Sequence, residues 1–429
     1  MPRALPFREW LAPGREQTVL FYRKGEALTG DCLRKEAERR FAAVSRTGFS
    51  RIAIRASDAF DFAASLIAVL HAGRTAVLPG SHRLSVPAVR GRTDAAIGGG
   101  EALEGLPEIR AGEASLPLPA LPASGRIILF TSGSTGEPKA VEKTPGTMDR
   151  EAEMTAELFG ARMAGTTAAG TVDALHMFGL SFLIWLPLSL GIPVRAERLQ
   201  VPEDMKALEG PVSVVTTPTF LRYIDPSIPA PDIRFMVTAG GPLPQETAEK
   251  AFRWCGARPA GIYGSTELGV VAYRWGDEPA GFATLAPGVS FGEKAAEGEI
   301  LSPIAEGGQA TLDDRIEVTG ERAFRLLGRK DRVVKIAEHR VSLTGVEREM
   351  ARLGFPGIAF ALEKGGRTGV AFAADGEKAA AAPDFRAVRA ALRPRLPAFA
   401  VPRWFRLADP IPRNSQGKAD LDLIKELFK

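Results

Sequence analysis

"LFTSGSTGEPKAVEKT", residues 129–144, continues the apolar run Ile127-Ile128-Leu129-Phe130, which reads as the end of a buried strand. A hydroxyl pair, a glycine and a second hydroxyl pair follow at once, and Gly136-Glu137-Pro138-Lys139 closes the stretch. The Walker pattern requires G-x-x-x-x-G-K-[ST]. Here Pro138 precedes Lys139 and Ala140 follows it, so that pattern fails. The dinucleotide fingerprint G-x-G-x-x-G is only half met, by Gly133 and Gly136. What remains is T-S-G-S-T-G-x-P-K. The backbone N–H groups of such a loop and the hydroxyls of Thr131, Ser132, Ser134 and Thr135 can close on the outer phosphates of a nucleotide, with Lys139 adding charge. An ordinary surface turn has a similar composition, because Gly, Ser and Thr are common loop residues.

On the N-terminal side of this loop, residues 17–80 alternate short apolar segments (TVLFY, RIAIRA, TAVLP) with helical patterns at Cys32 to Val44 and Ala59 to His71, which is α/β layering. Leu106 to Ser124, rich in Pro, Ala, Gly and Glu, reads as a loose crossing segment. On the C-terminal side the alternation resumes from Pro145 to about Pro287, and the segments VSVVTTP and RFMVTAG each end in small or turn residues. Ligands of open α/β sheets collect at such strand ends. After Gly288, EGEILS and FRLLG suggest a small antiparallel unit. A boundary near Gly328 divides the chain into an α/β domain, 1–328, and an α+β domain, 329–429, with helices expected at Gly345 to Leu353, at Asp384 to Leu392 and at the C-terminal end. The expected fold class is α/β with a smaller α+β domain.

Composition narrows the partners. With 429 residues, 45% of them hydrophobic and 25% charged, the chain can fill a sizeable core and cover it. A formal net charge of +4 is small for this length and makes no general claim on nucleic acid or acidic membrane. Cys32 and Cys255 are far apart and outside any C-x-x-C pattern, so neither a disulfide framework nor a thiolate metal site is expected. Arg3, Arg8, Glu9 and prolines interrupt residues 1–14, where a secretory signal would need an apolar stretch, and a cytoplasmic protein is expected. The uncharged run MFGLSFLIWLPLSLGIPV, Met177 to Val194, is broken by Gly179, Pro187, Gly191 and Pro193, so a buried helix entering a strand is expected there, with no membrane insertion.

Further stretches have readings of their own. In GIYGSTELG (Gly261 to Gly269), Tyr263 offers a flat ring to a base, Gly264 lets the backbone approach, Thr266 can hydrogen-bond a phosphate oxygen, and Glu267 can hold Mg²⁺ together with phosphate. A strand end capping a helix through Ser265 or Thr266 is the structural alternative. TAGGPLP (Thr238 to Pro244) carries Gly240, Gly241 and Pro242, which a plain turn would also carry. Taken with LLGRKDRVVKI (Leu326 to Ile336) and PRNSQGKADLDLI (Pro412 to Ile424), and in this order after the opening loop, these stretches resemble the motifs of the adenylate-forming enzymes, the superfamily of acyl-CoA synthetases, adenylation domains and luciferases. The resemblance spans residues 17–429, with the part before the hydroxyl loop shorter than the family's usual length.

The resemblance implies ATP, Mg²⁺ and a mobile C-terminal domain. It places residues 131–136 and Lys139 on the ATP phosphates, and Gly240, Gly241, Pro242, Tyr263 and Gly264 against adenine. Asp314, fourteen residues before Gly328, falls at the family's ribose-binding aspartate with Arg329 close by, although the usual Thr-Gly-Asp appears here as Leu312-Asp313-Asp314. Asp331 matches the interdomain hinge, where a solvated linker would look the same. Lys418, between Gly417 and Ala419, matches the lysine that bridges the substrate carboxylate and the α-phosphate, and so joins Thr266 and Glu267 as an expected catalytic residue. His176, Met177, Phe178 and Gly179 match the segment lining the acyl pocket. That segment lacks the aspartate that holds an amino group in amino-acid-activating relatives, which implies a plain aliphatic or aromatic acid. A core histidine beside a filler methionine is the alternative for that segment.

The implied activity is ATP-dependent formation of an acyl-adenylate with release of pyrophosphate, then transfer to a pantetheine thiol of coenzyme A or an acyl carrier protein. Arg386, Arg389, Arg393, Arg395, Arg403 and Arg406 would draw either acceptor, or form a solvated helix face. One departure bears on thiolation: Lys335-Ile336-Ala337-Glu338 stands where the family has Lys-Ile-x-Gly, the glycine that lets the pantetheine arm through. The sequence therefore also allows adenylation with another acceptor, or a nucleotide-binding regulator without catalysis. A pure binder would have no use for both Glu267 and Lys418.

Overall fold

A computed structural model describes residues 3–80, 87–98, 105–132, 138–330, 332–336, 339–365, 367–376, 384–413 and 419–429. The chain forms two compact units. The first comprises Met1–Glu293, Glu299–Ala310 and Thr319–Phe324; the second comprises Arg325–Lys429 together with two short stretches, Lys294–Gly298 and Thr311–Val318.

The first unit contains two large sheets and a separate small one. One large sheet has the strand order Glu108–Ile109, Ala95–Ile97, Arg51–Ile54, Thr75–Leu78, Arg126–Ser132, Pro138–Lys143. Its strands are parallel up to Arg126–Ser132, which then pairs antiparallel with Pro138–Lys143 in the register Thr131 opposite Lys139 and Ile127 opposite Lys143. The hydroxyl loop is thus the connection of a hairpin, which is a further departure from strand-to-helix phosphate loops. Burial on both faces explains the near-continuous apolar runs Ile52-Ala53-Ile54 and Ala76-Val77-Leu78.

The second sheet has a parallel centre: Val19–Arg23, Val194–Arg195, Thr167–Gly170, Val212–Thr216, Ile233–Thr238 and Ala260–Ser265. Glu26–Thr29 pairs antiparallel at one end, and Gly269–Trp275 followed by Phe282–Leu285 at the other. In the separate small sheet, Ser290–Phe291 pairs antiparallel with Glu299–Leu301. Helix Pro145–Met163 begins on a capping box between Thr144 and Thr147, with Pro145 in the first turn. It sends Met148, Glu151, Ala152, Thr155, Phe159 and Met163 into the interior. Helix Ala59–His71 is capped by Asp58, whose side chain accepts the N–H of Asp61.

The long apolar run is buried. A short helix, Met177–Gly179, leads into a π-helical segment, Leu180–Trp185, and a helix, Leu186–Leu190, with Gly191 left-handed at φ 69° before strand Val194–Arg195. Trp185 stacks on Phe7 at 5.0 Å and meets Trp10 edge-on at 4.9 Å, while Asp149 accepts from the Trp185 indole and the Phe7 N–H. Among the described residues no helix is long and apolar enough to cross a membrane.

The second unit has its own core. Strand Gly357–Lys364 pairs antiparallel with Arg367–Asp375, which pairs parallel with Trp404–Ala408. Helices Leu343–Arg352 and Phe385–Leu392 bury Val346, Met350, Val388 and Leu392 with Phe372. Helix Leu421–Glu426 places Ile424 with Phe428 against Phe360 in a second cluster. Strand Trp404–Ala408 escapes the sequence reading, because Arg403 and Arg406 break its alternation of apolar and polar residues.

Candidate active site

The parallel strands of both large sheets in the first unit deliver the sequence motifs at their C-terminal ends. Thr131 and Ser132 end one strand, and Lys139 returns on the next, paired through its backbone with Thr131. Residues 133–137, with Gly133, Ser134, Thr135 and Gly136, lie outside the described residues. In the other sheet, Thr238 pairs with Gly261, so that the Gly240–Pro242 turn and the Tyr263–Glu267 segment leave neighbouring strands side by side. Gly240 takes φ +90°, and Gly240, Gly241 and Pro242 are exposed. Arg274, buried under this turn, donates to the Leu243 carbonyl at 2.7 Å.

Residues 260–275 form a hairpin, with Thr266, Glu267 and Leu268 in the turn and a register shift between Tyr263 and Gly264. The alternative of a strand end capping a helix is therefore overturned: Ser265 Oγ accepts the Leu268 N–H at 3.2 Å within the turn, and the chain returns directly as strand Gly269–Trp275. Close approach requires Gly264, where a Cβ would sit 2.0 Å from the Gly269 carbonyl oxygen. Tyr263 is half-buried and meets Phe324 edge-on at 5.8 Å.

Lys139 and Glu267 join the two sheets. Their ion pair measures 3.2 Å, with Lys139 exposed and Glu267 half-buried. Partial burial pushes the Glu267 carboxyl upward, but its own backbone N–H, the Lys139 ammonium and the Ser265 hydroxyl outweigh this and hold it below the ordinary range. Lys143, only 4% exposed, donates to the Glu267 carbonyl at 2.6 Å, and burial lowers the pKa of its ammonium against the pull of Glu151 and Glu267. Glu151, 2% exposed, accepts the Val270 N–H at 3.1 Å. Burial pushes its carboxyl up to about 7, with Lys143 pulling the other way.

Sequence reasoning missed Lys143 and Glu151, although each carries a signal. Lys143 falls in the inward phase of its strand, two residues beyond buried Val141, and Glu151 falls in helical phase with Met148, Thr155 and Phe159.

His176 is half-buried at the start of helix Met177–Gly179 and faces Gly80, where a Cβ would come 2.6 Å from the imidazole. Phe178 packs on Phe182 at 5.2 Å, Met177 is half-buried, and Gly179 passes so close to Asp173 that a Cβ would lie 2.1 Å from its carbonyl oxygen. Asp314 and Arg329 belong to the second unit, where Asp314 opens strand Asp314–Val318 and Arg329 ends strand Ala323–Arg329. Next to them Lys330 donates to the carbonyls of Glu297 and Leu312 at 2.6 and 2.8 Å. Asp331, Glu338 and Lys418 lie outside the described residues. The bridge between Arg413 and Ala419 closes the ends of the segment that carries Lys418.

Residues 101–291 match the model of the AMP-binding enzyme family. Over that stretch, less than half of its length, the chain is similar to AMP-binding enzymes. The chain is 29% identical over 297 residues to 4-coumarate–CoA ligase of Cereibacter sphaeroides, a match that covers 68% of this chain and 70% of that protein. It is 28% identical over 363 residues to phosphinothricin tripeptide synthetase PhsC of Streptomyces viridochromogenes, covering 72% of this chain but 32% of that one. In fold it resembles o-succinylbenzoate CoA synthetase (MenE) of Bacillus subtilis in complex with its acyl-adenylate intermediate, with TM-score 0.76, 17% identity and coverage of 97% and 96% of the two chains. It likewise resembles the anthranilate CoA ligase AuaEII in complex with anthranoyl-AMP, with TM-score 0.72, 16% identity and coverage of 99% and 98%.

Proposed function

We propose that this protein is an adenylate-forming, AMP-binding enzyme that uses ATP to activate a carboxylic acid as its acyl-adenylate, releasing pyrophosphate, and passes the acyl group to a pantetheine thiol. The observation that carries this reading is the meeting of Lys139 with the Thr266–Glu267 turn at the strand ends of two sheets. A cation from the phosphate loop and a carboxylate from the nucleotide motif then share one small space.

In the first half-reaction a carboxylate oxygen attacks the α-phosphorus and the bond to the bridging oxygen breaks, so pyrophosphate leaves. In the second, the thiol sulfur attacks the acyl carbon, the acyl–oxygen bond breaks, AMP leaves, and the thiol proton is released. The hydroxyl loop and Lys139 would hold the outer phosphates, Thr266 would donate to an α-phosphate oxygen, and Tyr263 with Gly240–Pro242 would flank adenine. Asp314, with Arg329 near it, would take the ribose hydroxyls, and Asp331 would serve as the hinge between half-reactions. Lys418 would bring a positive charge to the carboxylate and the α-phosphate as they meet.

No group of three or more His, Cys, Asp or Glu able to hold a metal occurs among the described residues. A single carboxylate suits Mg²⁺, which commonly takes one or two carboxylates and completes its shell with phosphate oxygens and water. Glu267 would be that ligand, and the ion would supply charge neutralisation on the phosphates. His176, Met177 and Phe178 would face an aliphatic or aromatic acid. Exposed Arg386, Arg393, Arg395 and Arg403 would favour the phosphates of coenzyme A or an acidic carrier protein.

ATP–pyrophosphate exchange over a panel of aliphatic and aromatic acids tests the first half, and mass detection of thioester with coenzyme A or a phosphopantetheinylated carrier tests the second. Glu267→Gln and Lys418→Ala should each slow exchange on the order of 10²–10³-fold. Absence of exchange with every acid would leave a nucleotide binder. Exchange without thioester would point to another acceptor, and Glu338→Gly would then be expected to open the thiol route.

A further inference from the structure

Beneath the Thr266–Glu267 turn lie two buried charged side chains from different elements. Lys143, at the end of strand Pro138–Lys143, donates to the Glu267 carbonyl at 2.6 Å; Glu151, in the second turn of helix Pro145–Met163, accepts the Val270 N–H at 3.1 Å. The turn is held at both ends, and of the two residues between the grips, Leu268 and Gly269, the glycine has φ +64° and passes so close to Glu151 that a Cβ would lie 3.0 Å from its carboxyl carbon. A side chain there would press on the Glu151 carboxyl group, and the left-handed backbone favours glycine.

Two features separate this arrangement from ordinary packing. Taking a lysine and a glutamate out of water is costly, and a hairpin turn needs neither for stability; apolar residues of similar size often serve as well or better. The pair is also not a self-satisfied network: Glu151 Oε2 takes no well-formed hydrogen bond among the described residues, and the neighbouring group that acts on it is the buried Ser181 hydroxyl, outside the pair. What the pair does is fix a backbone. Lys139 and Lys143 lie on one strand, and one takes the Glu267 side chain while the other takes its main chain.

We propose that Lys143 and Glu151 are positioning residues that clamp residues 267–270 from below and so set where Glu267 and Thr266 stand in the adenylation site. This rests on the reading of that site given above. Neither residue touches substrate in this scheme; each acts through the turn. Groups that must stabilise developing charge work only when held in place beforehand, and a loosely held turn would cost rate without loosening the binding of the acid.

The test compares the full chain with Glu151→Gln, Glu151→Leu and the double variant Lys143→Met/Glu151→Leu. The double change removes both buried charges and should fold with a melting temperature near or above the parent's. Its pyrophosphate-exchange kcat should fall about 10- to 100-fold while KM for the acid stays within about threefold. Amide hydrogen exchange of a peptide covering 263–272 should speed up about tenfold or more. Glu151→Gln keeps an oxygen acceptor for Val270 and should keep that protection; Glu151→Leu should lose it. If the double variant fails to fold, the Gln and Leu variants decide by that peptide alone. Equal protection in both, or a folded double variant with unchanged kcat and unchanged protection, overturns the clamp. If the parent itself shows no pyrophosphate exchange, the adenylation reading falls separately, and the peptide protection still decides whether the turn is clamped.

Discussion

At the scale of single residues, Glu151 carries a consequence for pH. Its carboxyl titrates near 4.5 in the unfolded chain and is pushed up to about 7 by burial in the fold. Between these values the folded protein keeps a proton that the unfolded chain has released, so this group's contribution to stability declines as pH rises through the window and is fully lost above it. The charged group facing it is Lys143 on the adjoining strand, with Glu267 beyond, and its ammonium already offsets part of the burial. Glu151→Gln cannot titrate, so its stability relative to the parent should rise between about pH 5 and pH 8, by a few kcal/mol at the upper limit. Urea unfolding of both proteins across that range measures the difference; one that stays flat or narrows refutes a raised carboxyl. Residues like Glu151 are hard to read in a sequence. A glutamate in a helix is ordinarily solvated, and only its phase with Met148, Thr155 and Phe159 marks it as inward. Glu267 was legible for the opposite reason, because it sits in a short run whose residue types all suit a nucleotide.

At the scale of elements, regular segments were read well where one periodicity dominated. Helix Ala59–His71 and strands Val212–Thr216 and Ile233–Thr238 follow from their apolar patterns and from the turn residues that end them. The YGSTE segment was open between two geometries because the deciding contact is tertiary: Gly264 packs against the returning strand at Gly269, which no local pattern announces. That contact gives a sharp expectation. In Gly264→Ala the new methyl would stand 2.0 Å from a carbonyl oxygen of the backbone, which has no side-chain freedom to yield. The hairpin must open or shift its register, at a cost of about 1–3 kcal/mol, and the turn bearing Thr266 and Glu267 moves with it. Chemical denaturation should show that loss, and hydrogen exchange should place the added opening in residues 260–275. Unchanged stability together with unchanged protection would mean that the strands are not so closely apposed.

At the scale of the whole molecule, a domain boundary near Gly328 is an expectation from sequence, and the compact units in the structure interleave: Lys294–Gly298 and Thr311–Val318 group with the C-terminal part of the chain, while Thr319–Phe324 groups with the first unit. Such exchange between units is invisible to composition, since these short stretches carry no core of their own. We propose that the second unit is an independently stable body, the property a swinging domain would need, because it owns a separate apolar cluster around Val346, Met350, Phe372, Val388 and Leu392. Phe372 is fully buried and stacks on Phe405 with ring centres 5.8 Å apart. Phe372→Ala removes that ring from a site walled by strand and helix, and should destabilise the second unit by about 3–5 kcal/mol. If the two cores are energetically separate, amides in 343–375 and 385–408 should exchange by sub-global opening at lower denaturant than in the parent, while those in 51–78 and 212–238 keep their protection. Simultaneous loss in both sets would mean that the chain unfolds as one cooperative body, and a domain swing between half-reactions would then have to be achieved without an independently stable unit to carry it.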